Sequence, residues 1–211
     1  MKIKKKLLSA VLAITLVASF SISANAIGYE SIQQIKGKDR YATASGIAGQ
    51  MGSYDSVILV NADGSMLADG LSASGLAGAI KAPILLVHKD SIPNETQLRI
   101  YIAKNIYIIG SESSISSNLE HKLRDENMGW FNVKRIGGKN RFETSSNVAR
   151  EILSIKGSIG KTFVANGYGG EADAMSISAV AARDGEPIIL TNGRNLDNAR
   201  DNIVEQTKNI Y

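Results

Sequence analysis

The 211-residue chain has no cysteine, two histidines and three prolines. Without cysteine there are no disulfides, thiol nucleophiles or thiolate metal ligands, so stability must come from core burial. The histidines are His88 and His121, and no repeated motif shares either of them. Three convergent ligands at the spacing of a zinc site are missing, so neither a metal nor another cofactor is expected. Also missing are the Gly-x-Ser-x-Gly elbow of serine hydrolases and any paired carboxylates or nucleophile with its base common to the repeats. These gaps argue against an enzyme.

A long apolar run is lacking as well, with one partial exception. Lys2, Lys4, Lys5 and Lys6 precede an apolar stretch from Leu7 to Ile22, followed by Ala24-Asn25-Ala26. This order reads as a secretory signal peptide cleaved after Ala26. The competing reading is an uncleaved membrane anchor, but the stretch falls short of the ~20 residues that span a bilayer. The chain carries 24 basic and 20 acidic residues, and the leader holds four of the lysines and none of the acids. What remains is balanced. Net charge therefore provides no case for nucleic acid or an anionic surface, and any anionic partner must be held by local sites. A secreted product at the cell surface is expected, with no membrane contact after cleavage.

What the chain does have is an internal repeat. Ile136-Gly-Gly-Lys-Asn-Arg-Phe-Glu-Thr-Ser-Ser-Asn-Val-Ala149 restates Ile35-Lys-Gly-Lys-Asp-Arg-Tyr-Ala-Thr-Ala-Ser-Gly-Ile-Ala48. Copies about a hundred residues apart mean duplicated domains rather than short solenoid units. The later motifs repeat too. Asn61, Asp69, Ser72, Ser74 and Pro83-Ile-Leu-Leu86 are matched by Asn166, Asp173, Ser176, Ser178 and Pro187-Ile-Ile-Leu190. Val57–Val60, Ile84–Val87 and Ile106–Ile109 are apolar throughout, the pattern of strands buried on both faces. Helical segments are expected between them, at Asp39–Met51, Leu67–Ile80, Pro93–Lys104 and from Ser116 or Ser117 to Met128. Asn132–Ile136 reads as a lead-in to the second copy, whose first helix is expected at Thr144–Ile155 and its last at Leu196–Thr207. This alternation predicts α/β modules, each a parallel sheet flanked by helices. Repeat one occupies residues 27–134 and repeat two residues 135–211. Lys208-Asn-Ile-Tyr211 restates Lys104-Asn-Ile-Tyr107, so repeat two is expected to be incomplete, with an open sheet edge prone to self-association.

The ordered motifs, found twice, resemble the cell wall binding repeat type 2 family of Gram-positive, especially clostridial, surface proteins. The resemblance covers nearly all of the chain after the leader. It implies tandem Rossmann-like modules and non-covalent anchoring on an anionic secondary wall polymer. It also allows an alternative, an accessory or remnant part of a wall hydrolase of the muramoyl-alanine amidase type whose catalytic domain lies elsewhere. The family associates its Pro-Ile-Leu-Leu segment with anchoring, which here means Pro83, Ile84, Leu85 and Leu86, and Pro187, Ile188, Ile189 and Leu190.

Each candidate also has a structural reading. The two Pro-Ile segments look like buried strands after a proline start. Arg40 and Arg141 stand at helix starts, where they either pair with anionic polymer groups or bridge to a carbonyl or carboxylate between modules. Asn61 and Asn166 follow the first strand of each copy, at the carboxyl ends where open α/β sheets bind ligands, yet asparagine there often only shapes a turn. Asp63, His88, Lys89, Tyr168, Asn192 and Arg194 share those ends. Asp69 and Asp173 are expected in the first turn of a helix, stabilised by its dipole. Gly167-Tyr-Gly169-Gly-Glu-Ala172 formally fits a dinucleotide fingerprint, but the first copy lacks it and no acid ends the next strand.

Overall fold

The computed structural model describes residues 34–64, 67–125, 130–169, 171–194, 203 and 207–211. The expected leader and cleavage site, and most of the helix expected at Leu196–Thr207, lie outside the described residues. The compact folded unit runs from Ile35 to Tyr211.

Repeat one reads α1 (Arg40–Gln50), β1 (Ser56–Asn61), α2 (Leu67–Ser72), α3 (Ser74–Ile80), β2 (Ile84–Val87), α4 (Asn94–Ile100), β3 (Asn105–Ile109) and α5 (Ser117–Asp125). Then come β4 (Asn132–Ile136), α6 (Arg141–Lys156), β5 (Lys161–Asn166), α7 (Glu171–Asp184), β6 (Ile188–Thr191) and β7 (Asn209–Ile210). Two parallel sheets result, in the orders β2-β1-β3-β4 and β6-β5-β7. β5 stands between β6 and β7 as β1 stands between β2 and β3, so the repeated Lys-Asn-Ile-Tyr segments take equivalent places.

Two elements differ from expectation. The small-residue helix breaks at Ala73 into α2 and α3. At the break Ser72 donates its hydroxyl to the Asp69 carbonyl at 2.7 Å, a local bond that competes with the helical ladder. The lead-in at Asn132–Ile136 is a strand, paired with β3 from Asn105↔Asn132 to Ile109↔Ile136. Its Val133 and Ile136 are buried while Asn132 and Lys134 are exposed, the half-buried alternation of a sheet edge.

Every residue of β1 is buried, as a strand covered on both faces requires. Val57 and Leu59 face Ala48 of α1, Ile100 of α4, and Leu119 and Leu123 of α5. Ile58 and Val60 face the opposite layer, built from Leu76 of α3 and from Val148 and Ile152 of α6. The first helix of repeat two thus completes the core of repeat one. The small residues of α3 permit this approach. A Cβ on Gly75 would stand 2.0 Å from the Glu186 carbonyl oxygen, so only glycine fits. At Gly75 the missing side chain lets one repeat approach the other.

Candidate functional site

The repeated Gly-Lys-Asx-Arg-aromatic-x-Thr stretch builds a helix start. Asn140 caps α6 by accepting the Glu143 N–H at 3.0 Å, and Asp39 caps α1 by accepting the Ala42 N–H at 2.8 Å. Thr144 takes the Gly138 N–H at 3.1 Å and donates to the Asn140 carbonyl at 3.1 Å. Thr43 repeats both bonds with Gly37 and Asp39. Without a side chain, Gly138 can lie against Glu143, whose Cβ would be 2.5 Å from an added methyl. The arginine closes the arrangement onto the first strand of its own repeat. Arg40 donates to the Ala62 carbonyl at 2.8 Å, and Arg141 to the Gly167 carbonyl at 2.7 Å. Both arginines thus bridge to a carbonyl, but the expected place is corrected: each bridge lies within its own module, not between modules.

Arg141 has a second aspect. It borders a polar cavity of about 290 Å³ where the two repeats meet. Repeat one contributes Asp69 and the Ser111–Ser114 loop after β3; repeat two contributes Lys139, Arg141 and Tyr168. The cavity therefore lies at strand carboxyl ends, the usual ligand position of such sheets. Arg141 makes a longer contact with Glu171 at 3.5 Å, and its guanidinium carbon lies 6.0 Å from the Tyr168 ring centroid. Its Nε and Nη2 have no partner among the described residues, nor does the ammonium of Lys139. Both cations therefore have donors to spare.

Two groups on the repeat-one wall, the buried Ser114 and the half-buried Asp69, lack full compensation. The Ser114 hydroxyl is enclosed and has no hydrogen bond among the described residues, a costly arrangement unless a ligand or water supplies one. The Asp69 carboxyl also accepts no hydrogen bond among the described residues. Burial pushes its pKa up, and the nearby Arg141 charge only partly offsets this. Asp69 stands in the first turn of α2 as expected, and loss of water is the largest influence on its charge there.

The other candidates are placed differently. Asn61 is 3% exposed; it accepts the Asp63 N–H at 2.6 Å and donates to the Ser114 carbonyl at 2.5 Å, tying the β1 turn to the serine loop. Asn166 accepts the Tyr168 N–H at 2.9 Å in the matching turn. Pro83, Leu85, Pro187, Ile188, Ile189 and Leu190 are buried, and Ile84 and Leu86 partly so. Most of these side chains form the sheet interior, while Pro83 and Ile84 also line an open apolar groove beside α1. Asp63 and His88 meet at 2.8 Å, with the Tyr41 hydroxyl 3.1 Å from the same Asp63 oxygen. Burial alone would raise the Asp63 pKa, but the bonds from His88, Tyr41 and the Lys89 N–H outweigh it and hold the carboxyl below its usual range. Among the described residues no His, Asp and Glu group three or more is arranged to hold a metal. The serine loop and Lys139 were absent from the sequence-based candidates, although the carboxyl end of β3 pointed to Ser111.

Comparison with known proteins bears on the whole fold. The chain is 32% identical over 182 residues to the N-acetylmuramoyl-L-alanine amidase LytC of Bacillus subtilis, covering 85% of this chain and 35% of that protein. It is 37% identical over 158 residues to the Amidase enhancer of the same organism, covering 74% of this chain and 21% of the relative. The chain thus spans about a third or less of the length of these relatives. Among solved structures, Cwp8 from Clostridium difficile matches with a TM-score of 0.72 and 37% identity, over 83% of this chain and 30% of that one. The family described as Cell wall binding domain 2 (CWB2) matches residues 34–120 and 135–211. Both matched ranges share the capped, arginine-bridged helix start, and a wall-binding role fits the homology. This chain belongs to the Cell wall binding domain 2 family.

Proposed function

We propose that the chain is a non-enzymatic anchoring module that holds its protein on the cell wall by binding an anionic secondary wall polymer in the junction cavity. The observation that carries this reading is the pair of cations, Lys139 and Arg141, with unused donors at the rim of a polar cavity. Anionic groups of the polymer would pair with these two residues. Sugar hydroxyls would meet Ser111, Ser113, Tyr168 and the unsatisfied Ser114 hydroxyl. The volume lies near the lower end of the ~300–1,000 Å³ common for small-molecule sites, so each cavity would hold about one polymer unit. Such a contact is weak alone and gains from repetition along a polymer. The protein would be secreted after cleavage behind Ala26 and retained at the surface, with other repeats or copies of itself as partners and no nucleic acid.

Co-sedimentation with purified walls, before and after extraction of the secondary polymer, tests the reading. Retention is expected on intact walls, lost after extraction, weakened by salt and reduced severalfold by Lys139→Ala. Equal recovery in the supernatant with both wall preparations refutes it. Similarity to an amidase and an amidase enhancer motivates a second reading, an accessory part of a wall hydrolase. In that case adding the chain to a cognate amidase would raise dye release from labelled walls, while the chain alone would release none.

A further inference from the structure

The layer of repeat one that faces away from α6 carries a second cleft, and it shares no lining residue with the junction cavity. It lies between α4 and α5, beside the loop that follows β2, and encloses about 190 Å³. Ile100, Leu119 and Leu123 line its buried side and belong to the core. Two aromatic rings stand at its edge, Tyr101 at the end of α4 and Phe131 just before β4. Their centroids are 6.4 Å apart and their planes meet at 35°, so together they make a shallow corner.

Both rings are held in place. Phe131 is half-buried and packs against the core beside Ile92. Tyr101 is 58% exposed, yet the Gln97 side-chain amide, one helical turn earlier, donates to its hydroxyl at 2.9 Å. The fold itself does not require this ring. By the register of the two Lys-Asn-Ile-Tyr segments, the position of Tyr101 is taken in repeat two by Glu205, and that of Asp90 by Arg194. An exposed, oriented aromatic that the scaffold can do without is a feature of binding surfaces, where a rigid ring gives contact area at little entropic cost.

The polar lining narrows the ligand. Asp90, Ser91 and Lys122 border the cleft, and their side chains have no hydrogen bond or ion pair among the described residues. One carboxylate and one ammonium offset each other, and the carboxylate disfavours a phosphate. Such a set suits hydroxyl groups, each of which both donates and accepts. A pyranose ring offers that combination, with an apolar C–H face and a rim of hydroxyls. The volume falls below the ~300–1,000 Å³ common for small-molecule sites, which leaves room for about one ring.

We propose that the cleft between α4 and α5 binds one pyranose unit of an uncharged glycan, with its C–H face on Tyr101 and Phe131 and its hydroxyls on Asp90, Ser91 and Lys122. Sugar binding there needs nothing from Lys139 or Arg141, so it stands whether or not an anionic polymer occupies the junction. Repeat one would then hold a neutral sugar on one layer, apart from the charged contact at the other.

Trp130, the sole tryptophan, is 79% exposed and adjoins Phe131 in the chain, so its fluorescence reports on the cleft. The whole chain is titrated with tri-N-acetylchitotriose and, separately, with maltotriose. A saturable change at about millimolar sugar is expected, the strength of a single shallow contact. A response to tri-N-acetylchitotriose alone assigns an N-acetylated amino sugar, and a response to both assigns a plain pyranose. Tyr101→Ala should weaken binding roughly tenfold, the scale of losing one stacking ring, while Tyr101→Phe keeps it within about threefold. Inorganic phosphate should not compete. Residue 101 is exposed, and unchanged circular dichroism shows that both variants remain folded. Overturning results are no saturable response to either sugar, a response undiminished in Tyr101→Ala, equal losses in Tyr101→Ala and Tyr101→Phe, or displacement of the sugar by phosphate.

Discussion

Ile152→Ala and Met51→Ala change the same repeat position, and the structure assigns them opposite outcomes. Ile152 is 0% exposed and packs among Ile58, Val60, Leu76 and Ile109 of repeat one. Truncation removes buried methylenes and leaves a cavity between two repeats that cannot both collapse onto it, at a cost of about 2–5 kcal/mol. Met51 is 45% exposed at the rim of the open groove, and its truncation should stay within about 0.5 kcal/mol. With a urea slope of about 2 kcal/mol per molar, Ile152→Ala moves the unfolding midpoint down by about 1–2.5 M. Met51→Ala barely moves it. The assay is urea unfolding in dilute solution, followed by circular dichroism and by the fluorescence of Trp130. Because Ile152 belongs to the sequence of repeat two and the core of repeat one, both signals should shift together in a single transition. Two separated transitions, with only the one from repeat two displaced, would refute the shared core. Equal shifts in the two variants would refute the asymmetry between the repeats.

Two further expectations follow from the junction. Gly75→Ala drives a methyl against the Glu186 carbonyl, which should cost about 1–3 kcal/mol as overpacking, read as a lowered melting temperature. Asp69 has a folded pKa raised by burial, so the folded state holds its proton more tightly than the unfolded chain does. Its contribution to stability is present below the ordinary aspartate pKa and is lost as pH rises through the raised value. Asp69→Asn should therefore gain in melting temperature relative to the parent between acid and neutral pH, and a parallel pair of pH profiles would contradict that.

The helix start common to both repeats shows how far local pattern carries. Glycine, an Asx cap, arginine and threonine sit within a few residues of one another, and their bonds are nearly all made within that segment, so the stretch was readable as a helix boundary. What arginine reaches was not: the Ala62 and Gly167 carbonyls come from the end of a strand more than twenty residues away. The junction cavity was less legible still. Asp69, Ser114, Lys139 and Tyr168 belong to four separate segments, and no spacing rule joins them. The alternation in Asn132–Ile136 was present but short, and its pairing with β3 depends on a sheet edge left open by the rest of the fold.

By itself the sequence determined the duplication, the buried parallel strands, the capped helices and the family resemblance, because hydrophobic period, turn chemistry and repeated motifs are local and survive in each copy. The tertiary structure decided which copy uses which face. Ile47 and Val148 are equivalent apolar residues at equivalent helical positions, yet one is half exposed and the other fully enclosed. Burial is a property of the neighbour that arrives, and only the folded chain brings α3 onto α6 while leaving the Ile47 face of α1 open.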